Sequence, residues 1–174
     1  MLIMKKSFFI LFFLPLLFAC NQSKNKSADP KAAFRKEVID FASNYAMGKF
    51  KVPVKTTSND GIVTVAENNY SYVINPSKIY TGLIDYDNIE DAIVSIDYIR
   101  DQNIVLSEHL ILINSENGLT LNRSIESDMR IISIKDRVIT AEVYTRSRNG
   151  PLADCHICKE VVKYHFSNGE LVKE

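Results

Sequence analysis

The chain has 174 residues, with 21 basic and 21 acidic side chains and a formal charge of zero. That balance gives no sign of the concentrated basic face that nucleic acid demands. The five arginines between 123 and 148 (Arg123, Arg130, Arg137, Arg146, Arg148) are instead spread among strand-like segments and acidic neighbours.

Lys5 and Lys6 precede an apolar run of 11 residues, Phe8 to Phe18, and polar chain follows at once. A membrane span needs about 20 apolar residues. The shorter run, broken by Pro15, fits the h-region of a secretion signal better than an uncleaved anchor. At its end Leu17-Phe18-Ala19-Cys20 resembles the bacterial lipobox, with Phe18 bulkier than the commonest choice at its place. The resemblance implies that 1–19 are removed and that Cys20 carries a diacylglycerol thioether and an acylated N-terminus. Several chains at about 0.8 kcal/mol per buried methylene make such anchoring permanent. Asn21 stands where an Asp would signal inner-membrane retention, and no acidic cluster follows. The expectation is an outer-membrane lipoprotein facing the periplasm. Its mature chain has 155 residues, the size of one domain, and a net charge of −2.

Residues 20–29 read as the lipidated cysteine and a flexible polar tether, and 30–174 as a single globular domain. Asp29-Pro30 is an N-cap with Pro at the first helical position. Phe34, Val38, Phe41 and Tyr45 then repeat at helical spacing beside Ala42 and Ala46, which predicts a helix over 30–47 with Gly48 as its left-handed stop. That stripe suits packing on a sheet better than lying on a bilayer, since Glu37 and Asp40 dilute the basic face.

From residue 50 the pattern turns to β. Strands are predicted at 62–66, 70–74, 78–84, 92–99, 108–114, 119–122, 130–134, 137–145, 159–166 and 170–173, rich in Val, Ile, Thr and Tyr. Asp60-Gly61, Asn75-Pro76, Asn117-Gly118, Asn149-Gly150-Pro151 and Asn168-Gly169 punctuate them as turns. Connections this short cannot hold crossover helices. The predicted class is α+β, with one N-terminal amphipathic helix packed on a curved, mainly antiparallel meandering sheet.

The stretch from Gly82 to Val94 (Gly-Leu-Ile-Asp-Tyr-Asp-Asn-Ile-Glu-Asp-Ala-Ile-Val) clusters carboxylates as Ca²⁺ sites do. It resembles the acidic loop of FG-GAP-type repeats and of many small exported bacterial β-domains. On that pattern Asp85, Asp87 and Asp91 take ligand places, Leu83 stands at the first ligand place, and Asn88 replaces a glycine. The resemblance implies a Ca²⁺ loop. The alternative is that Asp85 and Asp87 bond backbone N–H groups and shape the turn. A weaker likeness to such domains runs over about 80–172. It includes a cysteine-containing bend and the ending Tyr164, Phe166, Asn168-Gly169, Leu171, and it carries no assigned activity.

With Cys20 lipidated, Cys155 and Cys158 remain, in a bend between two strands. In an exported chain a short-loop disulfide is the default. A thioredoxin-like pair wants a helix after the first cysteine, where Val161-Val162 indicate a strand. Haem attachment wants His where Lys159 stands, and a zinc or copper site needs more ligands. There is no Gly-rich phosphate loop, no nucleophile in a local motif and no His-x-x-x-His pair among the three histidines. The expected function is a non-enzymatic binding or scaffolding lipoprotein with no cofactor and an envelope protein or ligand as partner. The alternatives are a metal-dependent protein or enzyme using the acidic loop or the cysteine bend, and an inhibitor or immunity lipoprotein.

Overall fold

The computed structural model describes residues 29–144 and 159–174. The signal segment, Cys20, the tether to residue 28 and the bend with Cys155 and Cys158 lie outside the described residues. The described chain is mainly β, with one helix and two antiparallel sheets.

Helix α1 (Pro30–Gly48) starts where the sequence predicts. The Lys31 N–H donates to Asp29 Oδ1 at 3.1 Å, and Pro30 opens the first turn. Val38, Ala42 and Ala46 are fully buried, with Phe34, Phe41 and Tyr45 packed around them. The helix end differs from expectation. Gly48 is not left-handed; Lys49 continues right-handed at φ −73°. The N–H groups of Lys49 and Phe50 tighten onto the carbonyls of Ala46 (3.1 Å) and Met47 (3.2 Å). The cause is tertiary: the Lys49 side chain reaches Glu108 and the Phe50 ring meets Tyr72, so the chain turns inward rather than reversing.

Six strands form the larger sheet in sequence order: β1 (Lys55–Asn59), β2 (Ile62–Glu67), β3 (Tyr70–Gly82), β4 (Asp91–Arg100), β5 (Asn103–Ser115) and β6 (Gly118–Glu126). Four more form a second sheet: β7 (Met129–Lys135), β8 (Val138–Tyr144), β9 (Lys159–Ser167) and β10 (Glu170–Lys173). The expectation of a single sheet is therefore corrected. The meander stops pairing between β6 and β7, where only Ser127 and Asp128 intervene, and the chain folds its last strands beneath the first six.

The burial pattern explains why. In β4 the first seven residues are all buried, so both of its faces are covered. Ala92, Val94 and Ile96, with Leu110 and Leu112 of β5, pack against α1. Ile93 and Ile111 point the other way, into a second core with Ile131, Ile139 and Ala141 of the smaller sheet. The layers are helix, large sheet, small sheet, and β4 and β5 serve both cores. Continuous apolar strands of this kind are what burial on both faces produces.

Two further differences are local. The predicted turn at Asn75-Pro76 is a bulge inside one long strand: register jumps from Ile74↔Ile96 to Ile79↔Val94. Proline removes a ladder donor, and Asn75 Oδ1 instead accepts the Ser77 N–H at 2.9 Å, while Arg35 of α1 donates to the Pro76 carbonyl at 2.6 Å. Strand β1 (Lys-Thr-Thr-Ser-Asn) was not predicted. All five of its residues are exposed, so no hydrophobic alternation marks it.

Candidate functional site

The acidic loop joins β3 to β4. Its three aspartates do different jobs. Asp91 is fully buried. Its Oδ2 accepts the N–H groups of Ile84 (2.8 Å) and Asp85 (3.3 Å), and its Oδ1 accepts that of Asn114 (2.9 Å). Burial pushes its pKa up, and the three N–H groups hold that rise in check. Asp85 Oδ1 accepts the Asp87 N–H at 3.0 Å, and Asp87 Oδ1 accepts the Ile89 N–H at 2.8 Å. These are successive Asx turns, the alternative that the sequence left open. Asn88 is left-handed at φ 65°, as its place in the pattern predicts.

The loop is gripped from the smaller sheet. Arg137, in the β7–β8 turn, donates Nε to the Asp85 carbonyl at 2.7 Å and Nη2 to Asn88 Oδ1 at 2.6 Å. Its guanidinium carbon lies 5.3 Å from the centre of the Tyr86 ring. At the base of the loop Gly82 meets Ile134: a Cβ there would stand 2.8 Å from the Ile134 Cγ2. The glycine is required by this approach, not by its backbone angles.

In this structure oxygens of the loop are already engaged. Leu83 occupies the first ligand place, Asp91 spends both oxygens on backbone N–H groups inside the core, and a cation already bonds the Asp85 carbonyl and Asn88. Among the described residues no three His, Cys, Asp or Glu side chains are grouped as metal ligands are.

Sequence reasoning missed three polar clusters on β4 and β5. On the small-sheet face, Ser95 and His109 are 5% and 1% exposed and joined Oγ to Nδ1 at 2.8 Å, while His109 Nε2 lies 3.3 Å from the Ser127 carbonyl. A carbonyl only accepts, so Nε2 carries the proton and Ser95 donates to Nδ1. Burial pushes the imidazole pKa down, which keeps it neutral near pH 7. Beside it Asp97 accepts from Lys78 Nζ (2.5 Å) and Ser107 Oγ (2.8 Å). On the helix face Glu108 is buried and accepts from Tyr45 Oη (2.5 Å) and Lys49 Nζ (3.1 Å). Burial alone would lower the Lys49 pKa, but hydrogen bonds to Tyr45 and Glu108 outweigh it and the pKa rises. The available signal was a charged or imidazole side chain inside an apolar strand: Asp97 within Ala92–Ile99, and Glu108-His109 ahead of Leu110.

Beyond Glu108 the large sheet runs past the end of α1. Here Phe50, Tyr72, Tyr98 and Tyr70 form a chain of ring contacts with centroids 5.5, 5.1 and 6.2 Å apart. The three tyrosines are half-buried, and burial pushes the Tyr72 pKa up. At the same end a shallow groove is lined by Thr64, Ala66, Asn69, Tyr70, Ser71 and Asp101.

Two of the three described arginines of this group pair with acidic neighbours, Arg123 with Glu170 at 2.9 Å and Arg130 with Glu142 at 2.9 Å, while Arg137 instead bonds the acidic loop's oxygens. Arg146 and Arg148 lie outside the described residues. Comparison with family models, with curated proteins and with solved structures finds no match for the chain.

Proposed function

We propose that this chain is a bacterial lipoprotein, lipidated at Cys20, held on the periplasm-facing side of the outer membrane and binding a protein or ligand of the envelope without catalysing a reaction. The N-terminal pattern supports the anchor: two lysines, an 11-residue apolar run and Leu17-Phe18-Ala19-Cys20. Among the described residues no helix is long and apolar enough to cross a membrane.

The observation that carries the binding role is the aromatic chain Phe50–Tyr72–Tyr98–Tyr70, at the end of the large sheet that α1 leaves uncovered. Tyrosine and phenylalanine supply contact area at low entropic cost and are favoured at recognition surfaces. The polar clusters weigh against catalysis. Ser95 and His109 are sealed between the sheets, and Asp97 and Glu108 each hold two hydrogen-bond donors. Cys155 and Cys158 form a structural disulfide in this reading, which a free-thiol assay of the exported protein tests directly.

Two experiments test the proposal. Mass spectrometry of the membrane fraction should find a chain beginning at a triacylated Cys20, and Cys20→Ala should leave the protein unprocessed. An intact Met1 on the wild type rules the anchor out. A photo-crosslinking residue at Tyr98 should capture a discrete envelope partner, while the same residue at Val161, exposed on the smaller sheet, should not. Equal capture at both places removes the aromatic end as the binding surface.

A further inference from the structure

We infer that Arg137 takes the place of a divalent cation in the acidic loop, so that the loop is closed by a charge built into the chain and does not respond to Ca²⁺. Loops of this pattern wrap a positive ion with main-chain and side-chain oxygens. In this chain the positive group that meets those oxygens is a guanidinium. It bonds one main-chain oxygen, that of Asp85, and one side-chain oxygen, that of Asn88, at 2.7 and 2.6 Å. Its guanidinium carbon lies over the Tyr86 ring, a contact that favours a weakly hydrated, delocalised cation.

Three features of the sequence fit this substitution. Leu83 stands where the loop would offer its first carboxylate, so one negative charge is absent, while Asp85, Asp87 and Glu90 remain. Asp91 is withdrawn into the core and faces the backbone N–H groups of Ile84, Asp85 and Asn114, away from the ligand set. The third feature lies in the other hairpin. Asp136 and Arg137 are both left-handed, at φ 52° and 63°. In sister turns of the chain the second of these places is filled by Gly61, by Gly169 and, between β4 and β5, by Gln102 at φ 68°. A side chain at a left-handed position costs about 1 kcal/mol or more relative to glycine. That cost is met at Arg137 and at Gln102 alike, so the backbone of this turn permits the reach to the loop without by itself marking it. The base of the loop packs closely on the same hairpin, where a Cβ at Gly82 would stand 2.8 Å from Ile134 Cγ2.

Thermal melting of the full chain in detergent, with Ca²⁺ raised to about 5 mM, above the usual range of extracellular sites, tests the inference. Terbium emission sensitised by Tyr86, which is 81% exposed, serves as a second readout. Wild type should show no shift in Tm and no terbium signal. Arg137→Ala should melt lower by several degrees, recover part of that loss when Ca²⁺ is added, and bind terbium. Arg137→Lys, which keeps the charge but not the two-pronged geometry, should fall between them, and it keeps the comparison usable should the alanine variant not fold. A wild-type Tm that rises with Ca²⁺ overturns the inference. So does an Arg137→Ala variant as stable as wild type, or destabilised variants that ignore both cations.

Discussion

The backbone N–H of Asn114 on β5 donates to the buried carboxylate of Asp91 on β4 at 2.9 Å, and the Asn114 side chain returns a bond to the Glu90 carbonyl at 3.3 Å. This exchange closes the base of the acidic loop against the end of the neighbouring strand. The same carboxylate holds Ile84 and Asp85, so one side chain fixes both ends of the loop.

Asp91→Asn should therefore be destabilising although it is nearly isosteric. An amide offers one acceptor oxygen, and its NH₂ would face at least one of the three N–H donors. Leaving a buried donor unsatisfied costs about 1–3 kcal/mol. Urea unfolding should show a loss of that size, with an unchanged slope. An Asp91→Asn variant as stable as wild type contradicts this account of the loop.

His109 makes a pH-dependent contribution of definite sign. Its folded pKa lies below the ordinary value of 6.5. As pH falls through 6.5 the unfolded chain takes up a proton that the native protein does not, so stability declines with falling pH until the folded pKa is passed. The slope is at most about 1.4 kcal/mol per pH unit for one group. Asp91, whose folded pKa is raised, acts oppositely: its contribution improves as pH falls through its folded pKa toward 3.8. His109→Gln keeps a donor toward the Ser127 carbonyl and should flatten the profile just below pH 6.5. Unfolding curves at a series of pH values decide it, and an unchanged profile in the variant refutes the assignment.

Gly82→Ala should strain the joint between the sheets. The new Cβ would meet both Ile134 Cγ2 and the Ile134 carbonyl, at 2.8 and 3.0 Å. Overpacking of this kind costs about 1–3 kcal/mol. Ile134→Ala removes the methyl contact but not the carbonyl, so the double variant should recover part of the loss. Additive losses would place the strain elsewhere.

Lys49→Met should cost more in the wild type than in a Glu108→Gln background. Glu108 is 2% exposed, and without the ammonium its charge keeps only the Tyr45 hydroxyl. Water reaches the Lys49 side chain, which is one-third exposed, so the coupling should be modest, about 1–2 kcal/mol in a double-mutant cycle. A coupling near zero would mean that Tyr45 alone carries the carboxylate.

Much of this architecture can be read from local patterns because local physics fixes it. Asp29-Pro30 sets the start of α1, and Asp60-Gly61 and Asn168-Gly169 adopt the left-handed angles that hairpin turns need. Features decided at a distance were not legible. Nothing near Ser127 marks where one sheet ends and the next begins. Gly48 failed as a helix stop because Lys49 and Phe50 answer to Glu108 and Tyr72 in other strands. The loop aspartates were visible, but their division of labour depends on Arg137, 52 residues away from Asp85. The apolar runs of β4 and β5 carried a signal of burial on both faces, which the expectation of a single sheet did not use.

The placement of α1 has a mechanical consequence. At 1.5 Å per residue its 19 residues form a rod about 28 Å long. If Cys20 is lipidated as proposed, the anchor is tied to the Asp29 end of that rod. Tyr72 and Tyr98 lie at its opposite end, beside Lys49. Under the anchor proposed above, the helix separates the aromatic rings from the tethered end by its own length, so a partner that docks on the rings would be met at the far end of the domain from its anchor.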